Sequence, residues 1–256
     1  MEEMVNLTKR TKFGKIGNCH GNKEVLIMFY SEQQAIDACV DEPSLIFNLI
    51  KRGEFELVQK LLDNNLVNIN TCDGVGNDVM TRLLKVKQYD LVMHLMKKKN
   101  WDVNHQNIEG NTFAHVLVLD SSVSALNVVE QLVKKKNFVP NIKNEKGETV
   151  FDKAINNNYI YTAFKILDDK RFDDIDLVTF KKLCNVCVRN TYYGKYSRLN
   201  NLEVIVEKLE RKDLEPNIKK IVDEISNNME VIKYEMMKDR TKVLESIINS
   251  SIIESV

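Results

Sequence analysis

The stretch GNTFAHVL, residues 110–117, decides how the fold is interpreted, because its leading glycine has counterparts elsewhere in the chain. Gly76 lies 34 residues before Gly110, and Gly147 lies 37 residues after it. The same two steps separate three asparagines, namely Asn70, Asn104 and Asn141. Independent markers that share one period indicate internal repetition.

Each repeat has the residue pattern of a helical hairpin. Thr112 and Thr149 follow their glycines at a position where a hydroxyl can cap the start of a short helix. A second helix is indicated by apolar residues three and four positions apart, which form a stripe along one face. The apolar pairs that recur are Leu61/Leu62, Leu95/Met96, Leu132/Val133 and Ile166/Leu167. Because one repeat cannot bury such a stripe alone, the repeats are expected to stack on one another.

This arrangement resembles the ankyrin repeat, in which a glycine turn precedes a Thr-Pro-Leu-His helix start. Residues 110–115, Gly-Asn-Thr-Phe-Ala-His, follow that pattern, with the proline and leucine replaced. The resemblance covers about residues 41–176, as four repeats. It implies an all-α fold, an α-solenoid of stacked ankyrin-like helix-turn-helix repeats with N- and C-terminal helical caps. It also implies that His115 ties its turn to the neighbouring one by hydrogen bonds, so we expect a structural rather than a catalytic histidine.

The regions on either side of the repeats differ from them in pattern. Residues 1–40 are interpreted as an N-terminal segment with a cap helix over 23–40, which could cover the first repeat. Residues 41–176 form the ankyrin-repeat stack, and residues 177–256 form a C-terminal helical region. In that last region Pro216 is expected to open a long amphipathic helix, which could cap the stack, support self-association or grip another chain.

Composition and charge exclude several classes of protein. With 43% hydrophobic residues the chain can form a substantial core, and only 3 prolines and 9 glycines favour helices over an all-β fold. Lysine plus arginine equal aspartate plus glutamate, at 37 each, so no overall field attracts nucleic acid or an anionic membrane. The sequence shows no signal-peptide core and no apolar run long enough to span a membrane. Its 5 scattered cysteines favour a reduced, cytoplasmic protein, and delivery into a host cell as an effector is also compatible with the sequence.

Few side chains have the spacing that catalysis or metal binding requires. Cys184 and Cys187 form a C-x-x-C pair, but no second pair and no histidine follows at zinc-site spacing. The glycine-rich stretch at 14–21 lacks the Walker spacing and predicts a loop. Two pairs of adjacent aspartates, at 168–169 and 173–174, are interpreted as solvated turns. We therefore predict no catalytic residue, no cofactor and no metal, while a metal or redox site at the two cysteines stays open as an alternative.

Ankyrin-like proteins hold partner proteins on a concave side, which is made of turn tips and the exposed parts of the first helices. Transferred position by position, the resemblance implies these partner-binding residues: Lys51, Arg52, Val75, Asn77, Lys85, Val86, Ile108, Glu109, Asn111, Leu119, Asp120, Glu145, Lys146, Glu148, Asn156 and Asn157. Apolar tips mixed with both signs of charge fit a protein surface better than DNA. Val75 and Ile108 are the expected anchors.

The sequence thus predicts a scaffold or adaptor that binds another protein non-covalently, with no nucleic-acid binding and no membrane insertion. Two further candidates for partner contact are an insertion at 119–125 and the tyrosines at 192, 193 and 196. The alternative is an effector or regulated enzyme whose activity lies in 177–256, with the repeats as its recognition module. That alternative predicts an enclosed polar pocket near Cys184, Tyr192 and Arg198.

Overall fold

The structure is a computed structural model that describes residues 16–17, 26–27, 31–172, 175–189, 194–210, 212–237 and 241–250. Apart from two short antiparallel strands, β1 (Ile16–Gly17) and β2 (Leu26–Ile27), regular structure in these ranges is helical. The α-helices are α1 (Glu32–Asp41), α2 (Ile46–Arg52), α3 (Phe55–Asp63), α4 (Val79–Lys85), α5 (Tyr89–Leu95), α6 (Phe113–Leu117), α7 (Val123–Leu132), α8 (Val150–Asn156), α9 (Ile160–Leu167), α10 (Leu177–Arg189), α11 (Gly194–Glu210), α12 (Pro216–Asn227), α13 (Met229–Met237) and α14 (Lys242–Ser250). The predicted all-α class is confirmed.

Contacts between residues divide the chain into two compact units, which we call the N-terminal unit (Met1–Ile108) and the C-terminal unit (Glu109–Val256). In the N-terminal unit, α2 pairs with α3 and α4 pairs with α5, each as a helical hairpin. The two hairpins lie side by side, because α2 packs on α4 and α3 packs on α5. In α3, the apolar stripe predicted for the second helix consists of four buried residues, Leu57, Val58, Leu61 and Leu62. Burial of this stripe between helices supplies the apolar core of the N-terminal unit.

Helix α1 precedes these hairpins and packs against a short 3-10 turn, Pro43–Leu45. Ser31 caps its start by accepting a hydrogen bond from the Gln34 backbone N–H at 3.2 Å. The helix therefore begins later than the cap helix expected over 23–40, and residues 26–27 belong to β2 instead. The other residues between 23 and 30 lie outside the described part of the chain.

The C-terminal unit repeats the same pairing. Helix α6 pairs with α7 and α8 pairs with α9, while α6 packs on α8 and α7 packs on α9. Helix α10 packs on α8 and pairs with α11, so it takes the place that the first helix of a further hairpin would have. The remaining helices α12, α13 and α14 pack on one another, and α12 and α13 also pack on α11. The helix expected after Pro216 is interrupted at Asn228, where α12 ends and α13 follows.

Helices α4, α6 and α8 begin with side-chain caps at one position of the repeat, two residues after the glycine. Asp78 accepts the Thr81 backbone N–H at 2.7 Å, and Thr149 accepts the Asp152 backbone N–H at 3.1 Å. Thr112 caps α6 in the same way, as the sequence predicts. A side-chain oxygen at this point satisfies one of the helix-start donors that lack a partner within the helix.

Glycine is favoured in the loops before these caps by a left-handed backbone conformation and, at Gly110, also by the close approach of the next loop. Gly110 has φ +69° and Gly147 has φ +73°, a left-handed conformation that L side chains rarely adopt. A Cβ on Gly110 would lie 2.7 Å from the backbone nitrogen of Glu145, whereas a Cβ on Gly147 would meet nothing within 4 Å. The two glycines therefore share one strained conformation but differ in how closely the next loop approaches.

This difference makes a prediction about stability. We expect Gly147→Ala to lower the free energy of unfolding by about 1–2 kcal/mol, which is the cost of a left-handed alanine. Gly110→Ala should cost about 1–3 kcal/mol more, because its methyl group must also push a backbone segment aside. Urea denaturation of both variants measures the difference. Equal losses at the two positions would show that the close approach has no energetic importance.

Candidate functional site

Neighbouring loops of the N-terminal unit are joined by two hydrogen bonds. The backbone N–H of Ile108 donates to the carbonyl oxygen of Val75 at 3.2 Å, and Val75 is the residue before a loop glycine. Beside it, the Asn107 side-chain amide donates to Asn77 Oδ1 at 3.0 Å. One loop is thus fixed against the next by a backbone pair and a side-chain pair.

The same two bonds recur in the C-terminal unit, at the corresponding positions of the repeat. The Glu145 backbone N–H donates to the carbonyl oxygen of Glu109 at 3.0 Å. The Asn144 side-chain amide donates to Asn111 Oδ1 at 3.1 Å. We call this recurring pair of bonds the loop ladder. Each unit therefore holds its loop tips in a defined place, with buried donors and acceptors satisfied.

An Asx turn shapes each loop from within. Asp73 Oδ1 accepts the backbone N–H groups of Val75 and Asn77, both at 2.9 Å, and Asn144 Oδ1 accepts those of Lys146 and Glu148, both at 3.0 Å. Such a turn is a common use of Asp and Asn. Val75 and Lys146 lie at the tips of these loops, and both are exposed.

The carboxylate of Asp73 is held in its charged form. Burial alone would raise its pKa, but hydrogen bonds from Asn77 and Val75 and the charge of Arg82 outweigh that effect and lower it. Arg82 forms an ion pair with this carboxylate. The negative charge of Asp73 is therefore compensated by Arg82 of α4 rather than offered to a partner.

His115 is completely buried and connects two loops of the C-terminal unit. Its Nδ1 accepts the Thr112 backbone N–H at 3.2 Å and lies 2.8 Å from Thr112 Oγ1. Its Nε2 donates to the carbonyl oxygen of Glu148 at 3.0 Å. With both ring nitrogens engaged in the architecture, the imidazole makes the loop-to-loop contact that the resemblance implied, and these bonds leave it no nitrogen for proton transfer.

A second histidine makes a similar contact in the N-terminal unit. His105 Nε2 lies 2.8 Å from the carbonyl oxygen of Gly76 and 3.2 Å from Cys72 Sγ. Burial, followed by the nearby charges of Asp78 and Asp73, raises the pKa of the Cys72 thiol. A raised pKa disfavours the thiolate, so this cysteine–histidine pair does not resemble an activated nucleophile.

The partner-binding residues predicted in the N-terminal unit are exposed with one exception. The exposed ones are Lys51, Arg52, Val75, Lys85, Val86 and Ile108. Asn77 is instead 1% exposed, because it accepts hydrogen bonds from Lys85 and Asn107 and donates to Asp73. Its side chain belongs to the loop ladder rather than to the outer surface.

The C-terminal unit repeats this result. The exposed predicted residues are Glu109, Leu119, Glu145, Lys146, Asn156 and Asn157, and the half-buried ones are Asp120 and Glu148. Asn111 is 8% exposed and accepts hydrogen bonds from Asn144 and from Lys153 Nζ. Asn77 and Asn111 occupy the same position of the repeat, and each is buried where the asparagine of the neighbouring loop binds it.

The side chains three residues before each glycine hold the loops in shape, and they were not identified from the sequence. These are Asp73, Asn107 and Asn144. Each is an Asx residue, and this regularity was visible in the sequence. The residues that they bind were not visible in the sequence, because the ladder joins residues 30 or 33 positions apart.

The other candidate sites of the sequence lie only partly within the residues that the structure describes. Cys184 is fully buried, and burial raises the pKa of its thiol to about 12. The side chains of Cys187, Tyr192 and Arg198 lie outside the described part, as do residues 173–174, both other tyrosines near 194, and most of 14–21. Asp169 is paired with Arg171, which lowers its pKa despite burial. Among the residues that the structure describes, His, Cys, Asp and Glu form no cluster of three able to hold a metal ion.

No described helix combines the length and the apolar character needed to cross a bilayer. Comparison of the sequence with protein-family models gave no match, and a search of curated proteins gave no match either.

The environment of His115 predicts how stability depends on pH. Burial, together with the nearby charge of Lys153, lowers its pKa although the Glu148 carbonyl opposes this, so the ring is neutral in the fold. In the unfolded chain its pKa returns to about 6.5. The unfolded state therefore binds a proton first on acidification, and the stability that His115 contributes is complete above about pH 6.5 and is lost as pH falls from there toward its lowered native pKa.

We expect the urea midpoint of the wild type to drop between about pH 7.5 and about pH 5.5, and the drop to be smaller in His115→Gln, which keeps a donor but cannot be protonated. The measurement is urea denaturation of both proteins at both pH values. Identical pH dependence in the two proteins would contradict the buried neutral imidazole.

Proposed function

We propose that this chain is a divergent ankyrin-like repeat protein, an α-solenoid that acts as a scaffold or adaptor. It binds a partner protein non-covalently through loop tips and through the ends of the first helices, and it performs no catalysis. The glycine period, the caps at one repeat position and the recurring loop ladder support this proposal.

The exposure of two apolar side chains in adjacent loops is the main support for the binding function. Ile108 is 69% exposed and Val75 is 43% exposed, and the two residues lie in adjacent loops joined by a backbone hydrogen bond. Large apolar side chains that project from fixed backbone are characteristic anchors of protein interfaces, since little entropy is lost when they are covered. The loop ladder supplies that fixed backbone.

The enzyme alternative gains no comparable support. It predicts an enclosed polar pocket near Cys184, Tyr192 and Arg198. The Cys184 thiol is buried and its raised pKa keeps it protonated, and the other two side chains lie outside the described part of the chain. An effector that acts through the region 177–256 and a cytoplasmic location both stay predictions of the sequence.

The proposal is tested by photo-crosslinking from the tips. A benzophenone amino acid replaces Ile108 in one protein and Leu66 in another, and both proteins are irradiated in extract from the native source. Leu66 is the matched control because it is 43% exposed in the same unit but follows α3 rather than lying in a tip loop. We expect a discrete crosslinked protein from position 108 and a different pattern, or none, from position 66.

A substitution completes the test. Ile108→Asp should lower the amount of that protein captured by more than about tenfold, because a charge replaces an apolar anchor that is buried in the complex. Leu66→Asp should leave capture unchanged, and both variants should melt as the wild type does, since both positions are exposed. Equal capture by the wild type and Ile108→Asp would refute the tip surface as the binding site.

A further inference from the structure

The exposed tips of the N-terminal unit carry positive charge as well as apolar side chains. We define its tip face as Lys51, Arg52, Val75, Lys85, Val86 and Ile108, all of which are exposed. Lys51 and Arg52 end α2, and Lys85 ends α4, and these two first helices pack side by side. The cations therefore come from neighbouring helix ends, a position where the helix dipole also favours them.

Two of the negative charges near this face are compensated within the protein. Glu54 pairs with Arg52 at 2.6 Å, and the buried carboxylate of Asp73 pairs with Arg82. Lys85 Nζ donates instead to a neutral acceptor, Asn77 Oδ1, at 3.0 Å. The charge of Lys85 thus stays available to an anionic group on a partner.

The apolar members of the tip face lie near Lys85. Val86 directly follows Lys85 in the chain. Lys85 also touches Asn77, whose Oδ1 binds the residue before Ile108. Ile108 in turn is hydrogen-bonded to Val75 through the backbone. A single ligand segment could therefore touch a cation and two or three apolar side chains at once.

The C-terminal unit has different side chains at the same repeat positions. Val75 corresponds to Glu109, Ile108 to Glu145, and Val86 to Asp120. Its tips are consequently acidic where those of the N-terminal unit are apolar. At these three positions, exposed apolar side chains are a property of the tip face and not a general feature of the repeat.

We propose that the tip face binds an acidic protein segment in which apolar side chains alternate with carboxylates. This inference rests on the proposed function and specifies the partner's chemistry. Carboxylates would pair with Lys85, and the apolar side chains would cover Val75 and Ile108. A nucleic acid is the weaker fit, because its phosphates would leave those two apolar residues uncovered.

The test uses short random peptides displayed on phage and selected on the full-length protein. Phage that also bind the Ile108→Asp variant are removed. We expect the recovered peptides to be rich in Asp, Glu and large apolar residues. The dissociation constant of a representative peptide should rise by about tenfold in Lys85→Glu, and binding should weaken as salt increases. The matched control is Lys97→Glu, an exposed lysine after α5, which should bind as the wild type does.

The possible outcomes separate this inference from the proposed function. Neutral or basic peptides that still depend on Ile108 would overturn the acidic partner and leave the binding surface intact. Failure to recover any peptide dependent on Ile108 would overturn the inference, and the crosslinking experiment would then decide the function on its own. A single-stranded oligonucleotide that depends on Lys85 and binds more tightly than the selected peptides would show that the partner is a nucleic acid and not an acidic protein segment. Circular dichroism of each variant shows that the fold is retained.

Discussion

In each unit a backbone N–H of one loop reaches the carbonyl oxygen of the residue that precedes a glycine in the loop before it. This bond is possible because the glycine adopts a positive φ and has no Cβ at the point of closest approach. Asparagine pairs add a second bond beside the first. The side-chain caps lie two residues after Gly76, Gly110 and Gly147, where α4, α6 and α8 begin. Helix packing and tip exposure both depend on this constraint.

In the loops, residues on either side of the glycine have different roles: one binds the neighbouring loop and the other is exposed at the tip. Asn77 and Asn111, which follow Gly76 and Gly110, face inward and hold the neighbouring loop, whereas Glu148 after Gly147 is half-buried. The residue before each glycine has an outward side chain, and Val75 and Glu109 also contribute their carbonyl oxygens to the ladder. That outward residue is Val75, Glu109 or Lys146 in successive repeats. Side-chain chemistry can therefore change at the tips while the backbone bonds remain, which is how a repeat protein can acquire a specific surface on an unchanged frame.

Much of the local structure could be predicted from the sequence. Gly76, Gly110 and Gly147 share a left-handed conformation, and Thr112 and Thr149 cap helices, because these roles depend on residue type and near neighbours. The inward orientation of Asn77 and Asn111 could not be predicted in this way. A polar side chain beside a loop glycine is usually solvated, and only the asparagine of the next loop turns it inward. The helix break at Asn228 also escaped prediction, because the apolar spacing continues across it.

Hydrogen exchange of individual backbone amides tests the loop ladder most directly. The amides of Ile108 and Glu145 should exchange at least about tenfold more slowly than in an unstructured peptide, because each donates to the neighbouring loop. The amide of Val92, which donates to Gln88 within a helical turn at 2.9 Å, reports that the protein is folded. Slow exchange at all three amides is the result predicted. Exchange of Ile108 and Glu145 at the unstructured rate, with Val92 still protected, would contradict the ladder.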